Sequence, residues 1–205
     1  MYSSVDFSTV GTRHPIKVSF EEPMTPAAFA AWCTANPEVY AELESNGQIT
    51  IMSPTGLVSN ANENIIAVEL TIWKRQRGQD GMVTSGTVGI TLPDNSVRGP
   101  DAAYIPADRL SKLDRQDLKG FATVVPLFVA EVRSGSDRLK PLQRKMTDVW
   151  IANGVSLAIL LDIEGRQTFI YRADGSIDVV KGTVGTISGE DVLPGFELDL
   201  SLFYW

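Results

Sequence analysis

Residues 126–162, PLFVAEVRSGSDRLKPLQRKMTDVWIANGVSLAILLD, constrain the fold more than any other stretch. Apolar side chains occupy both alternating faces of 126–132: Leu127 and Val129 on one, Phe128, Ala130 and Val132 on the other. A strand that is apolar on both sides is covered on both sides, so it belongs in the interior of a sheet. Glu131 shares the face of Leu127 and Val129, at the strand's C-terminal end. A carboxylate there needs a cation, a set of hydrogen bonds or a proton. Ligands of open α/β sheets collect beyond the carboxyl ends of strands. Glu131 is therefore the first candidate functional residue.

A polar turn follows, then a helix. Pro141 fits only a first turn, which starts the helix near Arg138, and Asn153-Gly154 stops it. At about 100° per residue, Leu139, Leu142, Met146, Val149 and Trp150 share one arc, the buried stripe. Lys145 lies on the border of that arc, in line with Arg138, and can send its amine to one edge of the packed face. A second apolar run, 156–162, completes strand, helix and strand, which implies a right-handed crossover between parallel neighbours.

The rest of the chain supplies further elements. Thr25 and Pro26 open a helix over 25–36, as N-cap and first helical residue. Strands over 39–44 and 48–52 flank Asn46-Gly47, a hairpin signal. A long helix spans 59–77, with Ile65, Ile66, Leu70 and Trp73 at helical spacing and Lys74, Arg75 and Arg77 in its last turns. Residues 82–92 read as a strand pair broken by glycines. Arg98-Gly99-Pro100-Asp101 leads into a short strand, 102–105, and a charged, loop-like stretch over 107–121 follows, with a helical turn at 108–112. A hairpin over 167–172 and 176–181 comes next, and Leu198, Leu200, Leu202 and Phe203 pack the C-terminus down. This order predicts an α/β fold with a mixed β-sheet flanked by helices, one domain over 23–205 behind a polar arm at 1–22.

Composition removes several function classes. With 205 residues, 43% of them hydrophobic, the chain can bury a sizeable core. A formal charge of −7 argues against tight nonspecific nucleic-acid binding but leaves room for a small basic cleft. The single histidine, His14, excludes a histidine-rich zinc site and disfavours a Ser-His-Asp triad. The lone Cys33 forms no internal disulfide and reads as core. No apolar run approaches the ~20 residues of a membrane span. The N-terminus lacks the charged and apolar pattern of a leader. The expected location is cytoplasmic.

Asp101 opens one strand and Glu131 closes another. If those strands are neighbours, the two carboxylates converge. Two acids without histidine suit a hard cation, Mg²⁺ or Mn²⁺, which takes one or two carboxylates and polarises a phosphoryl group. Lys145 is placed to stabilise charge on phosphorus. Glu42, on the first hairpin, is a further acid that completes or positions the metal shell. Each has a plainer alternative. Asp101 caps a turn after Pro100; Glu131 pairs with Arg133 or Arg138; Lys145 is a solvated helix residue; Glu42 faces water.

A Pro-Asp before a short strand, followed by Glu at the end of an apolar strand, resembles the PD-(D/E)XK nuclease superfamily. More closely, the chain is similar to the Uma-type restriction endonuclease family of bacteria. The matching phrases are Glu42 and Gly47 followed by ITIMSPTG (49–56), RGPDAAYI (98–105), FVAEVRSGSDRL (128–139), RKM and IANGV within 144–155, and EDVLPGFELDL (190–200). The resemblance covers nearly everything from residue 24 onward. It implies a restriction-endonuclease-like core and a metal-dependent DNA endonuclease, with Asp101 and Glu131 as metal ligands. The superfamily places a lysine two residues after the glutamate, where this chain has Arg133. In the Uma-type group that lysine is thought to have moved to the following helix, a description that Lys145 fits; Arg133 as a direct substitute is the other option. Glu42 matches the family's acid before the hairpin glycine. A homodimer is compatible with the resemblance and fixed by no residue. Two other functions stay open: an inactive nuclease-fold module that binds nucleic acid or a protein partner, and a hydrolase of smaller phosphate esters.

Overall fold

The computed structural model describes residues 15–135 and 137–205. His14 and most of the N-terminal arm lie outside the described residues. In chain order the elements are β1 (Ile16–Val18), α1 (Pro26–Ala35), β2 (Ala41–Leu43), β3 (Ile49–Ile51), α2 (Leu57–Gln76), β4 (Gly81–Ser85), β5 (Ile90–Thr91), β6 (Val97–Arg98), β7 (Ala102–Pro106), α3 (Ala107–Leu110), β8 (Phe128–Arg133) and α4 (Leu139–Arg144). A π-helical segment, Lys145–Ile151, runs on from α4. Then come β9 (Leu157–Asp162), β10 (Gln167–Arg172), β11 (Ile177–Lys181), β12 (Thr186–Ser188) and β13 (Glu197–Asp199). Thr25 caps α1 as expected, its hydroxyl accepting from the Ala28 N–H at 3.2 Å.

The strands form a five-stranded sheet, β1-β3-β2-β6-β5, a six-stranded sheet, β11-β10-β9-β8-β7-β4, and a small β12-β13 ribbon. β8 and β9 are parallel, with Glu131 opposite Leu160 and Arg133 opposite Asp162. The other pairings in the six-stranded sheet are antiparallel, so the sheet is mixed. Its central strands are apolar on both faces because both faces are covered. Ile66, Leu70 and Trp73 of α2, together with Leu193, Phe196 and Leu198, cover one face against Phe128, Ala130 and Val132. Met146 and Trp150, both fully buried, cover the other against Val129, Ala158 and Leu160. A third core joins Phe29 and Trp32 of α1 to the five-stranded sheet.

Several details differ from the sequence expectation, among them the separate five-stranded sheet and the β12-β13 ribbon. The segment 82–92 is not a strand pair: β4 joins the six-stranded sheet beside β7, and β5 joins the other sheet beside β6. The helix over 138–153 is α-helical only to Arg144. Ile16–Val18, inside the polar arm, adds an edge strand to β3. Leu202 is 44% exposed rather than packed. No helix among the described residues is long and apolar enough to cross a membrane.

Candidate active site

The chain crosses from one large sheet to the other through Arg98-Gly99-Pro100-Asp101, between β6 and β7. The candidate residues gather at this crossing. β7 and β8 pair antiparallel with Ala102 opposite Ala130, so Asp101 stands one step further along the same ladder, opposite Glu131. Residues directly opposed on an antiparallel pair sit side by side. The Val132 N–H fixes Asp101 by donating to its Oδ2 at 2.7 Å. Asp101 thus bonds across the ladder rather than capping its own turn.

Glu42 reaches the crossing from β2 and is only 5% exposed, so it does not face water. Its Oε1 accepts from the Gly99 N–H at 3.0 Å and from Lys145 Nζ at 3.0 Å; its Oε2 accepts from Arg98 Nη1 at 3.1 Å. Arg98 also holds Glu44. Glycine is required at 99, because a Cβ there would lie 2.7 Å from the Val88 carbonyl oxygen. Any side chain would push the backbone off Glu42.

Glu131 is 4% exposed and pairs with neither Arg133 nor Arg138. Its Oε1 accepts from Lys145 Nζ at 3.0 Å and from the Trp150 indole N–H at 2.8 Å. The π-helical segment explains how one oxygen meets both donors. In an α-helix, residues five apart point about 140° away from each other. A π-helix bonds i to i+5, as the Ala152 N–H does to the Thr147 carbonyl at 3.1 Å, and brings such residues onto one side. Lys145 and Trp150 are so related, and the ammonium lies 5.7 Å from the indole centroid. Arg133 is committed elsewhere, to Asp162 at 2.8 Å and Glu164 at 3.1 Å.

The cluster holds more negative than positive groups, and its electrostatics show it. Burial, the Glu131 carboxylate and the Glu63 carboxylate raise Asp101 well above the usual range. Burial raises Glu131 as well, with Lys145 opposing and Glu42 adding to the rise. Burial works against the charge on Glu42, but Lys145, Arg98 and the Gly99 N–H outweigh it and hold this carboxyl below its ordinary value. Burial alone would lower Lys145; Glu131, Glu42 and Asp101 outweigh it and keep the ammonium protonated.

Three neighbours of the cluster were not among the candidates. Glu63 is 7% exposed on α2, near enough to Glu131 and Asp101 to be felt by both. Its signal was present: it falls on the core-facing stripe with Ile66, Ala67 and Leu70, where an acid is out of place. Trp150 read as core packing alone. Burial, with the nearby Glu42, Asp101 and Glu131 charges, pushes the Tyr40 phenol up, and the Lys145 ammonium opposes the rise.

A divalent cation fits the donor set. Asp101 Oδ1 and Glu131 Oε2 accept no hydrogen bond among the described residues, and neither is among the sealed polar atoms. Two carboxylates with open oxygens suit Mg²⁺, which keeps several waters. No cluster of three or more histidine, cysteine or acidic ligands arranged to hold a metal occurs among the described residues. A site here would rest on two protein ligands.

The solved structure of a protein from Anabaena variabilis, described as a "putative nuclease belonging to DUF820", superposes with a TM-score of 0.66 over 87% of this chain and 96% of that one. At 15% identity the likeness shows the fold alone. No curated protein sequence matches. Residues 26–201 match the family described as "Uma2: Putative restriction endonuclease". The chain belongs to the Uma2 family and carries its nuclease-like α/β fold.

Proposed function

We propose that the chain is a metal-dependent endonuclease that hydrolyses DNA phosphodiester bonds. The observation that carries this reading is the convergence of Lys145 with Glu131 and Glu42, at 3.0 Å each, beside Asp101. Asp101 and Glu131 would hold Mg²⁺ or Mn²⁺ through their open oxygens. The ion would supply Lewis-acid polarisation of the phosphoryl group and lower the pKa of water.

The chain's own residues do the rest. Lys145 stays protonated, so it acts as a donor and a fixed positive charge and not as a base. Its side chain is 18% exposed, so the residue is not sealed off from solvent. Placed where charge builds on the non-bridging phosphate oxygens, such a donor acts on the transition state. Both oxygens of Glu42 are taken, which makes it the residue that positions Lys145. Trp150 orients Glu131 from behind, leaving Oε2 for the cation.

Supercoiled plasmid incubated with Mg²⁺ or Mn²⁺ should be nicked and linearised, and a chelator should stop the reaction. The Glu131→Gln variant should not cut. Cutting by that variant at the wild-type rate would end this reading.

A second reading has its own support. Glu131 already has a cation in Lys145, and the chain is acidic overall. A nuclease-fold module that binds without cutting would look similar. Calorimetry separates the two: no uptake of Mn²⁺ by the wild-type chain would favour the module.

A further inference from the structure

Residues 138–147, RLKPLQRKMT, hold Arg138, Lys140, Arg144 and Lys145 and no acid, in a chain of formal charge −7. Arg138, Lys140 and Arg144 are exposed, and none forms a salt bridge among the described residues. Helix stability does not account for Arg138 and Lys140. Arg138 is the N-cap of α4 and makes no capping bond, Lys140 lies in the first turn, and no acid does. Cations at that end oppose the helix dipole. The other basic run, Lys74, Arg75 and Arg77, ends α2, where the dipole favours cations and explains it.

The cations trace a path. At about 100° per residue, Arg138 falls roughly in line with Lys145, while Arg144 and Lys140 lead away from the buried stripe onto the solvent face. Six residues of helix rise about 9 Å, and one DNA strand places a charge every ~3.4 Å along its axis. The strip matches two or three successive phosphates. We propose that this face of α4 is the docking surface for the sugar–phosphate backbone of duplex DNA, seating one strand beside the Glu131–Lys145 pair. The proposal rests on the reading of that pair as a phosphodiester-cleaving site. An acidic protein segment would meet the same charges, but the cluster at the end of the strip gives it no further partner.

The test uses the full chain carrying Glu131→Gln, so that the probe stays intact, with a short fluorescein-labelled duplex in chelator. Fluorescence anisotropy across a salt series gives the slope of log affinity against log salt. Changing Arg138, Lys140 and Arg144 to Gln should weaken binding and flatten the slope by about 2.7, at about 0.9 per lost phosphate contact. Changing Lys74, Arg75 and Arg77 to Gln removes the same charge and should leave the slope in place. Arg138→Lys with Arg144→Lys keeps the charge and should keep the slope. An unchanged slope in the α4 variant, an equal loss in the α2 variant, or no duplex binding by the parent overturns the docking surface. Wild-type cleavage is scored separately. Cutting with an unchanged slope removes the surface and spares the nuclease reading. A flattened slope without cutting removes the nuclease reading and spares the surface.

Discussion

Glu131 and Asp162 lie toward the C-terminal ends of neighbouring parallel strands, two rungs apart on one ladder, and both are almost fully buried at 4% and 1% exposure. Their surroundings treat them in opposite ways. Asp162 accepts from Arg133 at 2.8 Å and the Gly165 N–H at 3.0 Å on one oxygen, and from Gln167 at 2.9 Å on the other. Burial opposes its charge, but these donors outweigh burial and hold the carboxyl below its ordinary value. Glu131 has two donors on one oxygen and none on the other, so burial, opposed by Lys145 and reinforced by Glu42, raises its carboxyl. A saturated buried acid stabilises a fold. On the proposed reading, an acid left short of donors on one side, beside a second such acid, takes a ligand that the fold does not supply.

The sharpest way to break that contrast is to neutralise each acid without changing its shape. Glu131→Gln should eliminate metal-dependent cleavage while shifting stability by less than about 1 kcal/mol, because a buried acid near others is costly in its charged form. Asp162→Asn should do the reverse. Removing one partner of a buried pair costs about 3–5 kcal/mol, and here about 2–3 kcal/mol because Arg133 is 17% exposed and keeps Glu164. Urea denaturation and plasmid nicking, run on both variants, give the two readings. A strongly destabilised Glu131→Gln would place both acids in the same structural class.

The two cations beside these acids extend the comparison. Lys145→Gln should slow cleavage about 10²–10³-fold, the usual cost of one donor aimed at developing charge. Arg133→Gln should leave the cleavage rate of folded protein within about threefold and lower the urea midpoint. If Arg133→Gln proved the slower enzyme, the guanidinium would be filling the superfamily's lysine position after all.

Much of this arrangement was legible before any coordinates. The two-faced apolar run at 126–132 announced a central strand, and Glu131 at its end announced an exception to it. Lys145 was placed on the border of the buried stripe, and it reaches Glu131 from there. Three things were not legible, each for a physical reason. Whether Asp101 meets Glu131 depends on strand neighbours, which side-chain alternation does not encode. The split of 82–92 between two sheets leaves no trace in a short glycine-broken run. The π-helical turn is invisible to a 3.6-residue period, because Met146 and Trp150 fit that period closely enough to read as ordinary core. The consequence is that Trp150, read only as packing, turned out to share an oxygen with Lys145.

That indole gives a smaller prediction. Trp150→Phe keeps most of the buried ring and removes the N–H that meets Glu131 at 2.8 Å. Cleavage by folded protein should fall about tenfold with the Michaelis constant unmoved, as expected when about 1.4 kcal/mol of orientation is lost. A residue that merely fills space would lower the melting temperature and leave the rate alone.

The smallest expected effect is on stability in acid, and here the two kinds of carboxylate should pull in opposite directions. Burial opposes charge on Glu44, but hydrogen bonding and attraction from Arg98 outweigh it and hold the carboxyl down to about 2 from an ordinary 4.5. A depressed folded-state value contributes stability that is complete above the unfolded value and lost as pH falls from about 4.5 through about 2. Asp101 and Glu131 are raised, so their charged forms burden the fold at neutral pH, and protonation relieves that burden as pH falls toward the unfolded value. The metal-free chain should therefore gain stability on mild acidification before losing it below about pH 4.5. Glu44→Gln should remove only about 1 kcal/mol of the acid limb, since the Glu44 side chain is 23% exposed and water screens the pair. Glu131→Gln should shrink the rise and leave the acid limb in place. Urea midpoints at intervals across this range measure both limbs, and a stability that falls steadily from neutral pH would show that Glu131 and Asp101 are satisfied acids like Asp162.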